Sequence, residues 1–180
     1  MNRREALEKV SYMLGGTFVG ASAFLSSGFT FADKGLFDKD QIAFLNEVGE
    51  TIWPKTDSPG AKEADVGSFM SVIVKDCYTP ADRKVFTDGM VTLEQRCKQE
   101  TGKGFMQATP GQRTAFLTKL DQEAKDYMSK RKGDQPVHYF RMMKELTLAG
   151  FYTSEVGAVK FLKYNPAPGR YDGCTTERPW

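Results

Sequence analysis

Thr109-Pro110-Gly111-Gln112-Arg113-Thr114-Ala115-Phe116-Leu117-Thr118-Lys119-Leu120-Asp121-Gln122-Glu123-Ala124-Lys125-Asp126-Tyr127 decides the fold class. Its first four residues form a capping box, in which the Thr109 hydroxyl and the Gln112 side chain satisfy each other's otherwise unpaired backbone donors. Phe116, Leu117, Leu120, Ala124 and Tyr127 then recur at three- and four-residue steps, the stripe of an amphipathic helix.

The same grammar extends in both directions. Upstream, Thr79 is an N-cap, Pro80 takes the first helical position, where a missing N–H costs nothing, and Asp82 is a first-turn acid. Phe86, Met90, Leu93 and Cys97 line the face that follows. Further upstream, Val66, Phe69, Met70, Ile73 and Cys77 read as one helical stripe, and Ile42, Leu45, Val48 and Ile52 as another that runs from Gln41 until Pro54 stops it. Between them, residues 55–61 carry turn chemistry. Downstream, a helix is expected over about Val137 to Gly150, with Tyr139, Phe140, Met143 and Leu146 apolar and Gly150 as its C-terminal cap. No strand alternation appears. The expectation is an all-α chain, a single helical bundle with an irregular Pro/Gly-rich C-terminal tail from about residue 151.

With 180 residues, 40% of them hydrophobic, the chain can bury one sizeable core. A formal net charge of +2, from 25 basic and 23 acidic residues, is too small for a nucleic-acid footprint. Lys130-Arg131-Lys132 is a solvated surface run.

Residues 1–32 have a different character. Arg3 and Arg4 precede Leu7 and Lys9, and an uncharged stretch rich in Gly, Ala, Ser, Phe and Leu runs from Val10 to Phe31. That is the layout of a secretory signal, and the arginine pair with a glycine-diluted apolar region resembles the twin-arginine class, whose machinery exports folded proteins. The expected division is therefore a signal over 1–32 and a helical domain over 33–180, located in the periplasm. The stretch is also long enough to serve as an uncleaved membrane anchor, which stands as the second reading.

Chemistry-bearing motifs are scarce. His138 is the single histidine, and no His-x-x-x-His or Glu-x-x-His pair accompanies it, so a structural imidazole near a helix start is the expected role. There is no Cys-x-x-Cys-His haem motif, no phosphate loop, and no nucleophile with a base beside it in sequence. No cofactor, metal or catalytic residue is assigned to this chain. Of the three cysteines, Cys77 and Cys97 sit on apolar stripes and read as small buried core residues. A straight antiparallel hairpin would hold them on the order of 25 Å apart, beyond the roughly 7 Å between Cα atoms that a disulfide spans. Cys174, in a polar tail, is a reachable thiol that an oxidising compartment would drive toward another chain or another cysteine of this one.

The C-terminal region carries a resemblance. Lys144-Glu145-Leu146-Thr147-Leu148-Ala149-Gly150-Phe151-Tyr152-Thr153-Ser154-Glu155-Val156-Gly157-Ala158, then Tyr164, then Pro168-Gly169-Arg170-Tyr171-Asp172-Gly173-Cys174, resembles the gluconate 2-dehydrogenase subunit 3 family. The match is close over 136–174, while the helices from 38 to 130 match in kind only, and the end over 175–180 is longer than the family pattern. The resemblance implies a non-catalytic small subunit of a glucose-methanol-choline type sugar or sugar-acid dehydrogenase. It implies a large FAD-containing partner exported as a passenger on this chain's signal through the twin-arginine translocase, with a cytochrome c subunit as a further candidate member of the complex. Tyr152, Ser154, Glu155, Tyr164, Pro168, Gly169, Arg170, Tyr171 and Cys174 are the expected partner contacts, since Tyr and Arg dominate interface hot spots and the segment's backbone needs polar partners. Self-wrapping of the tail over this chain's own bundle remains open beside that. So does an independent helical enzyme drawing on His138, Glu145 and Glu155.

Overall fold

Helix α1, Lys39–Ile52, begins two residues before the periodicity suggested, because Asp38 and Gln41 form a capping box of their own: the Asp38 carboxylate accepts the Gln41 N–H at 2.8 Å and the Gln41 side chain accepts the Asp38 N–H at 3.0 Å. The computed structural model describes residues 35–165 together with Gly169 and Cys174. Over these residues the chain is helical with no strand, in agreement with the all-α expectation. None of the described helices is long and apolar enough to cross a membrane.

Trp53 closes α1 and Pro54 prevents its continuation. The loop that follows is drawn in at its neck by Glu50, whose two carboxylate oxygens accept the N–H groups of Lys55 and Lys62, each at 2.9 Å. Helix α2, Val66–Asp76, is capped from outside. Its own N-cap, Asp65, sits in left-handed backbone and makes no side-chain cap, so Asn46 of α1 accepts the Gly67 N–H at 2.8 Å and donates to Asp65 at 2.7 Å. The two helices come so close there that a side chain on Gly67 would meet the Ile42 carbonyl oxygen at 2.5 Å.

Helix α3, Pro80–Thr101, starts on the Thr79 cap and stops at Gly102, whose φ of 72° is the left-handed C-terminal cap. A 3₁₀ turn, Phe105–Gln107, leads to α4, Pro110–Lys130, where the Thr109–Gln112 capping box is present. Helix α5 is Tyr139–Thr153, and a π-helical turn, Val156–Phe161, follows it.

Phe86, Leu93, Phe105, Leu120, Phe140, Met143 and Phe151 are among the fully buried members of one core that also takes Leu45 and Val48 from α1 and Val66, Met70 and Val74 from α2. Each such side chain contributes about 1.5–3 kcal/mol by leaving water. Arg113 ties this core together from the side. Its guanidinium pairs with Glu47 of α1 and donates to the carbonyls of Phe105 and Met106, each at 2.8 Å.

Three expectations are corrected. Cys77 is exposed at the end of α2, where the buried face is Val66, Gly67, Met70, Ser71 and Val74, set by packing against both the first helix and the helix over Tyr139–Thr153; this leaves only Cys97 as a core cysteine. Gly150 does not end α5. It is buried inside the helix, and a side chain there would run into the ring of Phe69 at 2.7 Å, so it is the point where α2 and α5 meet. The irregular tail does not begin at 151, because α5 and the π turn keep the chain helical through Phe161.

Candidate functional site

The end of α5 is built by Ser154. Its hydroxyl donates to the Phe151 carbonyl at 2.7 Å and accepts the Gly157 N–H at 3.0 Å, closing one turn and opening the wider one that follows. Gly157 is required by this path, since a Cβ there would collide with the Phe151 carbonyl oxygen. The Leu162 N–H then reaches Gly157 O and the Tyr164 N–H reaches Ala158 O, each at 2.9 Å, folding the segment back on itself. π turns of this kind recur at functional sites.

The turn rests on an aromatic platform. Trp53, at the end of α1, lies 5.1 Å from Phe151, 5.5 Å from Tyr152 and 5.5 Å from Phe161 between ring centroids, and Tyr152 lies 5.9 Å from Phe161. The Trp53 indole Nε1 is buried with no hydrogen-bond acceptor among the described residues. Along this segment the chain exposes apolar side chains: the platform residue Tyr152 at 36%, and Val159 at 57%, Leu162 at 37% and Tyr164 at 65%. Lys160 anchors the turn to the loop before α2 through Glu63 at 2.8 Å; this hydrogen bond, ahead of the charges of Lys160 and Lys55, holds the Glu63 carboxyl below its ordinary range.

Among the residues expected at a partner interface, Tyr152 and Tyr164 are exposed, and Glu155 is exposed at the start of the π turn. Ser154 is half-buried, with its hydroxyl engaged on the backbone of the turn. Gly169, in left-handed backbone with φ 74°, and Cys174 are exposed. Pro168, Arg170, Tyr171, Arg3 and Arg4 lie outside the described residues. The sequence reading missed Trp53, Val159, Phe161 and Leu162. For Val159, Phe161 and Leu162 the signal was the apolar content of 156–162, hidden by grouping that stretch with the Pro/Gly-rich residues after it; Trp53 had none.

The residues of the enzymatic reading are engaged in separate contacts. His138 caps α5, its Nδ1 accepting the Phe140 N–H at 3.2 Å. Glu145 pairs with Arg141 at 2.8 Å on the exposed side of the same helix. The cleft beside Glu145, of about 200 Å³, also holds Asp121, Lys125 and Lys144. Asp121 there pairs with Lys125 at 2.8 Å and Lys144 at 2.7 Å. Among the described residues, no three His, Cys, Asp or Glu side chains are grouped to hold a metal ion.

In a comparison with known protein families, the family model described as gluconate 2-dehydrogenase subunit 3 matches residues 39–169. No curated protein and no solved structure matches the chain.

Proposed function

The chain belongs to the gluconate 2-dehydrogenase subunit 3 family, and from that membership we propose that it is a non-catalytic accessory subunit that binds a large FAD-dependent sugar or sugar-acid dehydrogenase through the end of α5 and the π turn. The observation that carries this reading is the set of exposed apolar side chains, Tyr152, Val159, Leu162 and Tyr164, on a turn braced by Trp53 and Phe161. A braced aromatic surface loses little side-chain freedom on binding, which is what makes such residues efficient anchors.

In this proposal the large subunit takes up its flavin in the cytoplasm, and the two chains cross the inner membrane together on the Arg3-Arg4 signal by the twin-arginine route. Oxidation of the sugar takes place in the partner, and this chain stabilises it and escorts it.

The test is affinity capture of the tagged chain from the periplasm of its native host. A co-purifying large chain with a flavin absorbance band supports the proposal; a solitary, colourless protein overturns it. Tyr152→Ala with Tyr164→Ala is expected to weaken capture by about 30-fold or more, the scale of a lost hot spot, while leaving the helical content unchanged.

A further inference from the structure

His138 is the chain's single histidine, and its ring is only 9% exposed. Because Nδ1 accepts the Phe140 N–H at 3.2 Å, that nitrogen carries no proton, and the neutral ring holds its proton on Nε2. Nε2 faces Glu123 of α4, 3.9 Å from its Oε1. Glu123 favours a charged ring, but both of its oxygens are already held by Arg96 of α3 at 2.9 and 2.7 Å, and its charge offsets burial only in part. The imidazole stacks on Tyr139 at 4.6 Å and lies 5.5 Å from Tyr127 of α4, whose hydroxyl donates to Pro136 O at 3.0 Å. Among the described residues, the charged and titratable groups facing it are Glu123 and Tyr127 from α4, Arg96 from α3, and Tyr139 from its own helix.

We propose that His138 is an acid-releasable latch on the first turn of α5: a proton taken from solvent at Nδ1 replaces the acceptor of the Phe140 N–H with a second donor and opens the cap. Two N–H groups then face each other, so the ring must leave its position and the stack on Tyr139 with it. The latch is closed at neutral pH. Burial pushes the imidazole below its ordinary 6.5, Glu123 offsets part of that, and Arg96 adds to it, so opening belongs to mildly acidic solution. The inference concerns this chain alone and does not depend on its partner.

The single histidine makes the experiment direct. Ring nitrogen–proton correlation spectra of the full chain, carried on a tag without histidine, read the tautomer and the titration of that one residue. Amide exchange of Phe140 at about pH 7.5 and about pH 5 reads the cap across the same window. The expected result is the Nε2–H tautomer at neutral pH, a midpoint below 6.5, and a fall of roughly five- to tenfold in Phe140 protection through the titration. His138→Asn and His138→Ser supply cap acceptors that gain no proton, and Phe140 protection in both is expected to stay flat. An Nδ1–H tautomer at neutral pH, unchanged protection across the wild-type titration, or an equal acid loss in the Asn and Ser variants overturns the proposal.

Discussion

Asn46 of α1 accepts the Gly67 N–H of α2 at 2.8 Å, so one helix is capped by the flank of another. Asn46→Ala leaves that donor and Asp65 without this partner, and is expected to lower stability by about 1–2 kcal/mol, the cost of a lost N-cap. Chemical denaturation of both proteins measures it. Restoration by Asn46→Ser, too short to reach Asp65 as well, is expected to be partial.

Arg113 is expected to be more sensitive. Arg113→Met removes one of the two basic partners of the half-buried Glu47, leaving Lys62, and orphans the Phe105 and Met106 carbonyls, at a cost of about 1–3 kcal/mol. Arg113→Lys should recover little of it, because a single ammonium cannot serve three acceptors in a plane. Thermal melts of the two variants distinguish these outcomes.

Acid dependence follows from Glu47. Burial alone would raise its pKa, but the Lys62 hydrogen bond and the charges of Arg113 and Lys62 outweigh that and hold it below 4.5. The folded value lies under the unfolded one, so its stabilisation is fully present above about pH 4.5 and is lost as pH falls through the folded value. Asp121 and Glu123, also held low by their basic partners against the opposing effect of burial, add to the same slope. Stability measured by denaturant titration from pH 6 down to about pH 3 should fall most steeply below 4.5, and less steeply in Glu47→Gln.

Gly157→Ala separates the π turn from the core. The added methyl collides with the Phe151 carbonyl, so the turn must open and Phe161 loosens from Trp53, while the buried packing among α1 to α4 is kept. Exchange at residues 158–164 is expected to rise at least tenfold, with the exchange of Leu93 and Leu120 amides unchanged; retention of wild-type exchange at 158–164 would show that the turn tolerates a Cβ.

Thiol labelling reads the corrected cysteine assignment. Cys97 is buried, and desolvation pushes its thiol up against a smaller lowering by the Thr101 hydroxyl, whereas Cys77 is exposed. Mass-mapped alkylation of the folded protein should modify Cys77 within minutes and Cys97 only on unfolding.

Much of the fold was legible because its signals are local. Thr79 and Thr109 announce their helices within four residues, and Phe86, Met90, Leu93 and Cys97 are all buried at the spacing that singled them out. What escaped depends on a second element. Gly150 looks like a helix stop until Phe69 of α2 is placed against it, and the burial of α2 is set by its simultaneous contacts with α1 and α5. Of the candidate surface, Tyr152 and Tyr164 were readable as residue types. Trp53 was not, because nothing in the sequence near Pro54 says that a residue about a hundred positions later will pack on it.

The double grip of Glu50 on the Lys55 and Lys62 amides, with the Ala61 N–H bonded to Trp53 O at 2.9 Å, makes the intervening loop a closed eyelet. Lengthening its exposed rim around Asp57 costs only a slow logarithmic entropy term, since the neck is already shut. That rim is therefore the place to graft an epitope or a fluorophore into this chain.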